Sequence, residues 1–149
     1  MKKALVAGIT CIGLAGWASP AAAGLFSSTG EVIAIMAGEL FTGTATGNLD
    51  GAGTLSIRSQ KNAALTCSGK FTSSAEAGGA GTLRCTDGSS ATYKFKRLTI
   101  YKGHGTGRFN RAAMSFTYGL TAKDAAAYLK LPKGKKLAGS GTGLELVSL

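Results

Sequence analysis

The chain of 149 residues has few of the side chains from which catalytic and metal sites are built. It holds one His, three Cys and seven Asp or Glu residues, and charged residues make up only 16% of it. An acid–base pair or a metal site needs several such groups close together. The stretch Gly103-His104-Gly105-Thr106-Gly107 lacks the Gly-Lys-Ser/Thr ending of a phosphate-binding loop, and no GxSxG motif is present. We therefore expect neither an enzyme nor a bound metal or cofactor.

Proline is also scarce, with two residues against 23 glycines, and the length suits one domain rather than two. Apolar residues make up 44% of the chain, which is normal for a globular protein and argues against disorder. Many Gly, Thr and Ser residues with few charges favour short strands and tight turns. The composition predicts a mainly β domain, as an antiparallel meander or a small sandwich or open barrel of about eight to nine short strands.

Long apolar runs are absent except near the start of the chain. Lys2 and Lys3 precede an uncharged, apolar stretch over 4–18, and small residues follow up to Ala23. This three-part pattern is typical of a secretory signal peptide, with cleavage between Ala23 and Gly24. The apolar stretch is shorter than the roughly 20 residues that a membrane-spanning helix needs. We expect a single exported domain over 24–149, in the periplasm or secreted, with no transmembrane segment after cleavage.

Cleavage removes Cys11 and leaves Cys67 and Cys85 as a pair. An even number of cysteines in an oxidising compartment predicts a disulfide. The midpoint between them, Glu76, lies in the turn-like stretch 73–79, so the two cysteines are opposite each other if the flanking segments form an antiparallel hairpin. No CxxC spacing points to redox chemistry, and the bond is expected to be structural.

Alternating apolar residues and turn signals predict the individual elements. Asp87-Gly88 predicts a two-residue hairpin turn. Tyr93 and Phe95 are out of phase with Leu98 and Ile100, so a bulge near Lys96-Arg97 would be needed for both pairs to contact one core. The predicted strands cover 29–36, 39–46, 54–58, 65–72, 82–86, 91–102, 112–118 and 142–147.

One short helix is predicted over about 121–131. Thr121 and Asp124 match a capping box, and Leu120 is placed to pack against the first turn. The alanines that follow favour helix, and Pro132 ends it. The narrow apolar stripe of this helix predicts that it packs on the surface of the sheet.

The tetrad Gly-x-Gly-Thr occurs four times, beginning at Gly51, Gly79, Gly103 and Gly139. It suggests a recurring device at the start of strands, where paired glycines allow close approach of neighbouring backbones. With Phe41-x-Gly43 before the first tetrad and Gly69-x-Phe71 before the second, residues 41–107 resemble MORN-type β-hairpin repeats. The third unit lacks the opening aromatic residue, and Cys67 stands where the first aromatic residue of the second unit belongs. The resemblance implies contacts with membranes or proteins.

Positive charge is concentrated in the second half. The full chain has a formal net charge of +10, yet residues 24–93 hold four bases and five acids whereas residues 94–149 hold eleven bases and two acids. This uneven distribution of charge favours attraction to a polyanion. It is also what a surface that only keeps the protein soluble would show. The candidate polyanion-binding residues are Lys94, Lys96, Arg97, Lys130, Lys133, Lys135 and Lys136.

Two function classes follow. The first is a non-catalytic, envelope-associated binding or structural module whose basic half contacts anionic lipid or polysaccharide, or a protein partner. The second is a small exported inhibitor or enzyme-like module that acts on an envelope target. A signal for export makes nucleic acid an unexpected partner for either class.

Overall fold

Eight antiparallel strands, each paired with the next along the chain, close into a barrel in a computed structural model that describes residues 27–74 and 76–149. The predicted signal peptide and its cleavage site at Ala23 and Gly24 lie outside the described residues. Pairing of β1 with β8 closes the barrel. The strands are β1 (Ser27–Met36), β2 (Glu39–Asn48), β3 (Ala52–Ser59), β4 (Thr66–Ser74), β5 (Gly78–Cys85), β6 (Ser90–Arg97), β7 (Gly103–Phe109) and β8 (Ala112–Tyr118). The predicted mainly β class is confirmed, and the sheet is a closed barrel.

The C-terminal segment packs on the outside of this barrel. A four-residue helix, α1 (Ala122–Ala125), is followed by an antiparallel pair, β9 (Lys135–Ala138) and β10 (Glu145–Ser148). Their apolar residues contact Ile33 and Ile35 on the outer surface of β1 and Leu40 on that of β2. The C-terminal segment therefore covers the outside of β1 and β2, and it also contacts the outside of β7, where Tyr128 stacks on His104.

Inward side chains alternate with outward ones along every barrel strand, as the two-residue period of a strand requires. Large rings fill the interior, with Tyr93 against Phe116 at a centroid distance of 5.1 Å and Phe71 against Phe95 at 5.5 Å. Inward glycines stand beside these rings. Gly53, for example, has no room for a β-carbon because the Phe71 ring and the Thr46 carbonyl oxygen occupy the space.

The predicted disulfide is confirmed. Cys67 on β4 is directly opposite Cys85 on β5, and the two sulfurs are bonded inside the barrel. The helix cap is also present, since the Thr121 hydroxyl accepts a hydrogen bond from the Asp124 amide at 3.3 Å. The helix is shorter than predicted, because after Ala125 the chain continues as a turn.

Several sequence predictions are wrong in detail. The predicted strand over 91–102 ends at Arg97 without a bulge, and residues 98–102 form a turn. The strands β7 and β9 were not predicted. The hairpin at Asp87-Gly88 is present with a four-residue connection, in which Gly88 has a φ of +85°. The tetrad at Gly139 leads into a 3-10 turn over Gly141–Gly143 rather than directly into a strand.

Candidate functional site

The outer surface of β4–β7 carries five basic side chains, which we call the basic wall. Each is exposed and lies at an outward position in its strand. Lys70, Thr82, Thr92 and Arg108 form one row across the four strands, in which each residue is opposite the next. The residues of the basic wall are Lys70, Arg84, Lys94, Lys96 and Arg108.

No acidic residue lies on β4–β7 to balance the basic wall. Among residues 27–74 and 76–149, the one ion pair joins Lys61 and Glu39, at 3.7 Å and away from the wall. The acids closest in sequence, Glu76 and Asp87, lie in the turns at the two ends of β5. The hydroxyl and amide of Ser89 donate to the Asp87 carboxylate and lower its pKa. The wall is therefore a strip of positive charge with polar Thr and Ser side chains between the bases.

An apolar turn stands at one end of the wall. It connects β6 and β7 and exposes Leu98, Ile100 and Tyr101, of which Ile100 is 64% exposed. Lys96 on β6 and Lys102 at the end of the turn lie beside it in the chain. We call residues 98–101 the apolar turn. Bases next to exposed apolar side chains are the combination found on protein surfaces that bind at the membrane interface.

The predicted basic residues do not form a single surface. Lys94 and Lys96 lie on the wall. Arg97 points to the opposite side of the strand and lies in the barrel mouth, because β6 alternates regularly and has no bulge near Lys96-Arg97. The amide of Lys130 donates to the Ser115 hydroxyl of β8 at 2.9 Å, which places Lys130 two strands away from Lys94.

The remaining predicted bases lie on or beside the β9–β10 hairpin. This hairpin packs on β1 and β2, and in an eight-stranded barrel β2 is across the barrel axis from β6. The predicted bases on β6 and those at the hairpin therefore lie on different sides of the barrel. The bases at the hairpin are Lys133, Lys135 and Lys136.

Lys70, Arg84 and Arg108 were missed as site residues. Leu83 and Cys85, which flank Arg84, share one side of the predicted strand. Because side chains alternate along a strand, the sequence already implied that Arg84 points outward. Arg108 was missed because β7 itself was not predicted.

The end of the barrel beside the apolar turn is open, and we call it the mouth. A cavity of about 70 Å³ opens there. Polar residues line its rim, among them Ser73, Arg97 and Tyr118, and apolar side chains such as Val32 and Leu55 line its floor. Burial raises the pKa of Tyr118, while the positive charge of Arg97 opposes that rise. Arg97 and Tyr118 are thus close enough for the charge of one to influence the other.

Tyr93 also lines this cavity. Its side chain is buried, and its hydroxyl has no hydrogen-bond partner among the described residues. Burial raises the pKa of Tyr93 to about 12, because the charged phenolate would lose its contact with water.

His104, the single His of the chain, is half-buried on the outside of β7. The His104 ring stacks on Tyr128 with the ring centroids 4.3 Å apart. Within the part of the chain that the structure describes, no carboxylate forms an ion pair with His104 and no group of three or more His, Cys, Asp or Glu residues is placed to hold a metal ion. Its visible role is to attach the segment after α1 to the barrel.

Comparisons with known proteins give no family: no family model matches the chain, and neither a curated protein nor a solved structure matches it significantly. The resemblance to MORN-type repeats therefore stays a prediction. In the described residues, no helix combines the length and the apolar character needed to cross a membrane.

Proposed function

We propose that the protein is an exported, non-catalytic binding module that attaches to an anionic membrane surface of the cell envelope through the basic wall. The observation that carries this proposal is the wall itself, in which five exposed bases share the outside of four adjacent strands that carry no acid. Such a strip attracts a surface that carries many negative charges more strongly than it attracts a single small anion.

The apolar turn favours a lipid surface over a polysaccharide. Leu98, Ile100 and Tyr101 offer apolar area that can enter the boundary between headgroups and acyl chains, while Lys96 and Lys102 remain at the headgroups. A soluble acidic polysaccharide would use the charges of the wall but offers no apolar layer for this turn.

Export is supported by the signal-peptide pattern and by the disulfide. Disulfides persist in oxidising compartments such as the periplasm or the extracellular space. The Cys67–Cys85 bond is buried in the core, where it links adjacent strands. Such a buried bond is typical of a structural disulfide in an exported protein. A location in the cell envelope would bring the basic wall within reach of anionic lipid headgroups.

Co-sedimentation with vesicles tests this proposal. We expect the domain to bind vesicles that contain phosphatidylglycerol and not vesicles of phosphatidylcholine alone, with binding much reduced at about 0.15 M salt, where the Debye length is about 8 Å. Equal binding to both vesicle types, or to neither, would contradict the proposal. Displacement from the vesicles by an acidic polysaccharide at equal charge concentration would overturn the lipid assignment in favour of the polysaccharide.

A further inference from the structure

Arg97 is the one base of β6 that points into the barrel. Its side chain is half-buried in the mouth, and its Nη2 donates a hydrogen bond to the Ser73 hydroxyl. No carboxylate forms an ion pair with it anywhere in residues 27–74 and 76–149. A guanidinium has five N–H donors in a planar fork, and a partly buried one without an anion leaves most of its binding capacity unused.

Ser73 fixes the position of this cation. The Ser73 amide donates to the Gly51 carbonyl at 2.7 Å, and its hydroxyl donates to the same carbonyl at 3.2 Å. The hydroxyl oxygen can then accept from Arg97. The guanidinium is thus held at the rim by a residue that is itself held by two hydrogen bonds, which favours binding because little side-chain freedom remains to be lost.

The floor below the rim is apolar and small. Val32, Leu55 and Phe116 line it, and the whole cavity, rim and floor together, has a volume of about 70 Å³. That is enough for about five to seven non-hydrogen atoms, given the roughly 10–15 Å³ that one water needs on the same measure. Tyr93 adds one buried hydroxyl without a partner to this lining. The space therefore fits a short apolar group and excludes a bulky ring system.

We propose that the mouth cavity binds a small monocarboxylate, with the carboxylate on Arg97 and a short aliphatic tail on the floor. A single guanidinium above an apolar floor matches one negative charge, and its fork pairs with the two oxygens of a carboxylate. Ile100 and Tyr101 of the apolar turn also line the cavity and would cover the bound ligand. The carboxylate would be held by Arg97 inside the barrel and not by the bases of the basic wall, so the two proposals share only the apolar turn.

An NMR titration of the full domain with butyrate tests the site, with butan-1-ol and butylamine as probes of equal chain length. We expect butyrate to shift the amide signals of mouth residues and to bind at least tenfold more tightly than butanol, since a charge-assisted hydrogen bond is stronger than a neutral one. Butylamine is expected not to bind. Butanol binding as tightly as butyrate, or the absence of shifts at the mouth, would overturn the proposal.

Three variants locate the contact. Arg97→Gln should weaken butyrate binding about tenfold and leave butanol binding unaffected, because the amide side chain carries no charge. Lys94→Gln removes a charge from the same strand on its outer surface and should change nothing. Ala45→Leu should abolish binding, because Ala45 lines the cavity and the larger side chain fills it.

Equal losses in the Arg97 and Lys94 variants would mean that only net charge matters, and would overturn the site. Should Arg97→Gln fail to fold, Arg97→Lys serves instead. The lysine variant keeps the positive charge but loses the paired N–H donors of the guanidinium. Unchanged binding in that variant would contradict bidentate recognition of the carboxylate. Because Lys94 belongs to the basic wall and Arg97 does not, a failure of membrane binding and a failure of this site are distinguishable.

Discussion

Gly79 on β5 is directly opposite Phe95 on β6, and the Phe95 ring occupies the space where a β-carbon of residue 79 would lie. That β-carbon would be 2.3 Å from the ring and 2.5 Å from the Thr72 carbonyl oxygen. The same relationship recurs between other inward glycines and rings, such as Gly105 with Phe116. Glycines of the first three tetrads thus make room for the aromatic core of a narrow barrel, namely Gly53, Gly79, Gly81, Gly103 and Gly105.

Gly79→Ala is expected to destabilise the domain by about 1–3 kcal/mol, because the added methyl group overpacks the core. Gly143→Ala is the matched control, since nothing lies within 4 Å of its β-carbon position. Urea unfolding of both variants should show a lower midpoint for the first and a change within about 0.5 kcal/mol for the second. Equal stability of the two variants would contradict this account of the glycines.

Reduction of the Cys67–Cys85 bond should lower the free energy of unfolding by about 3 kcal/mol, because the bond closes a chain separation of 18 residues in the unfolded state. Urea unfolding with and without reductant measures the difference, and the Cys67→Ala/Cys85→Ala variant should match the reduced protein. Two thiols that react in the unreduced, unfolded domain would contradict the bond.

Tyr93 should make the domain less stable as the pH rises from about 10 to 12. Its pKa is about 12 in the folded state and 10.0 in the unfolded chain, so between these values the unfolded state has lost a proton that the folded state keeps. Below pH 10 this contribution is constant. The raised pKa of Tyr118 acts in the same direction.

Tyr93→Phe should therefore lose less stability than the parent domain between pH 8 and pH 11, with Tyr118 causing part of the remaining loss. At pH 8 the variant should be as stable as the parent or more so, because the removed hydroxyl is buried without a partner. Urea midpoints at the two pH values measure both effects. A variant that is strongly destabilised at pH 8 would show that the hydroxyl makes a hydrogen bond.

Export predicts the mass of the mature protein. Protein purified from its native source should begin at Gly24, since the small residues before it favour cleavage after Ala23. Intact-mass measurement checks this, and a mature protein that retains Met1 would contradict cleavage.

Much of the barrel could be predicted from local patterns. The strands with aliphatic or aromatic alternation, such as β1, β6 and β8, were predicted, and the register of the hairpin followed from the positions of Cys67 and Cys85. β7 was missed because its inward positions Gly103, Gly105 and Gly107 carry no side chain to mark a buried face. Their partners are rings on the neighbouring strands, which a search for local periodicity does not detect.

Other features depend on long-range contacts. Closure of the barrel rests on pairing between β1 and β8, which no local pattern indicates. Leu98 and Ile100 were included in the predicted strand over 91–102, but they lie in a turn and are exposed. The mouth cavity and the inward position of Arg97 likewise could be predicted only after it was known that β6 continues to Arg97 without a bulge.

The central claim, that the basic wall binds an anionic membrane surface, is tested most directly by two triple charge reversals of equal net charge. One changes Arg84, Lys94 and Lys96 to Glu on the wall, and the other changes Lys133, Lys135 and Lys136 to Glu at the hairpin. Both should unfold at nearly the same urea concentration as the parent, because exposed charges contribute little to stability.

The deciding measurement is the fraction of each variant that co-sediments with phosphatidylglycerol vesicles at low salt. The wall variant is expected to lose binding, while the hairpin variant keeps most of it because its substitutions lie across the barrel. Loss of binding in the hairpin variant with retention in the wall variant, or equal loss in both, would contradict the assignment of the binding surface to the basic wall.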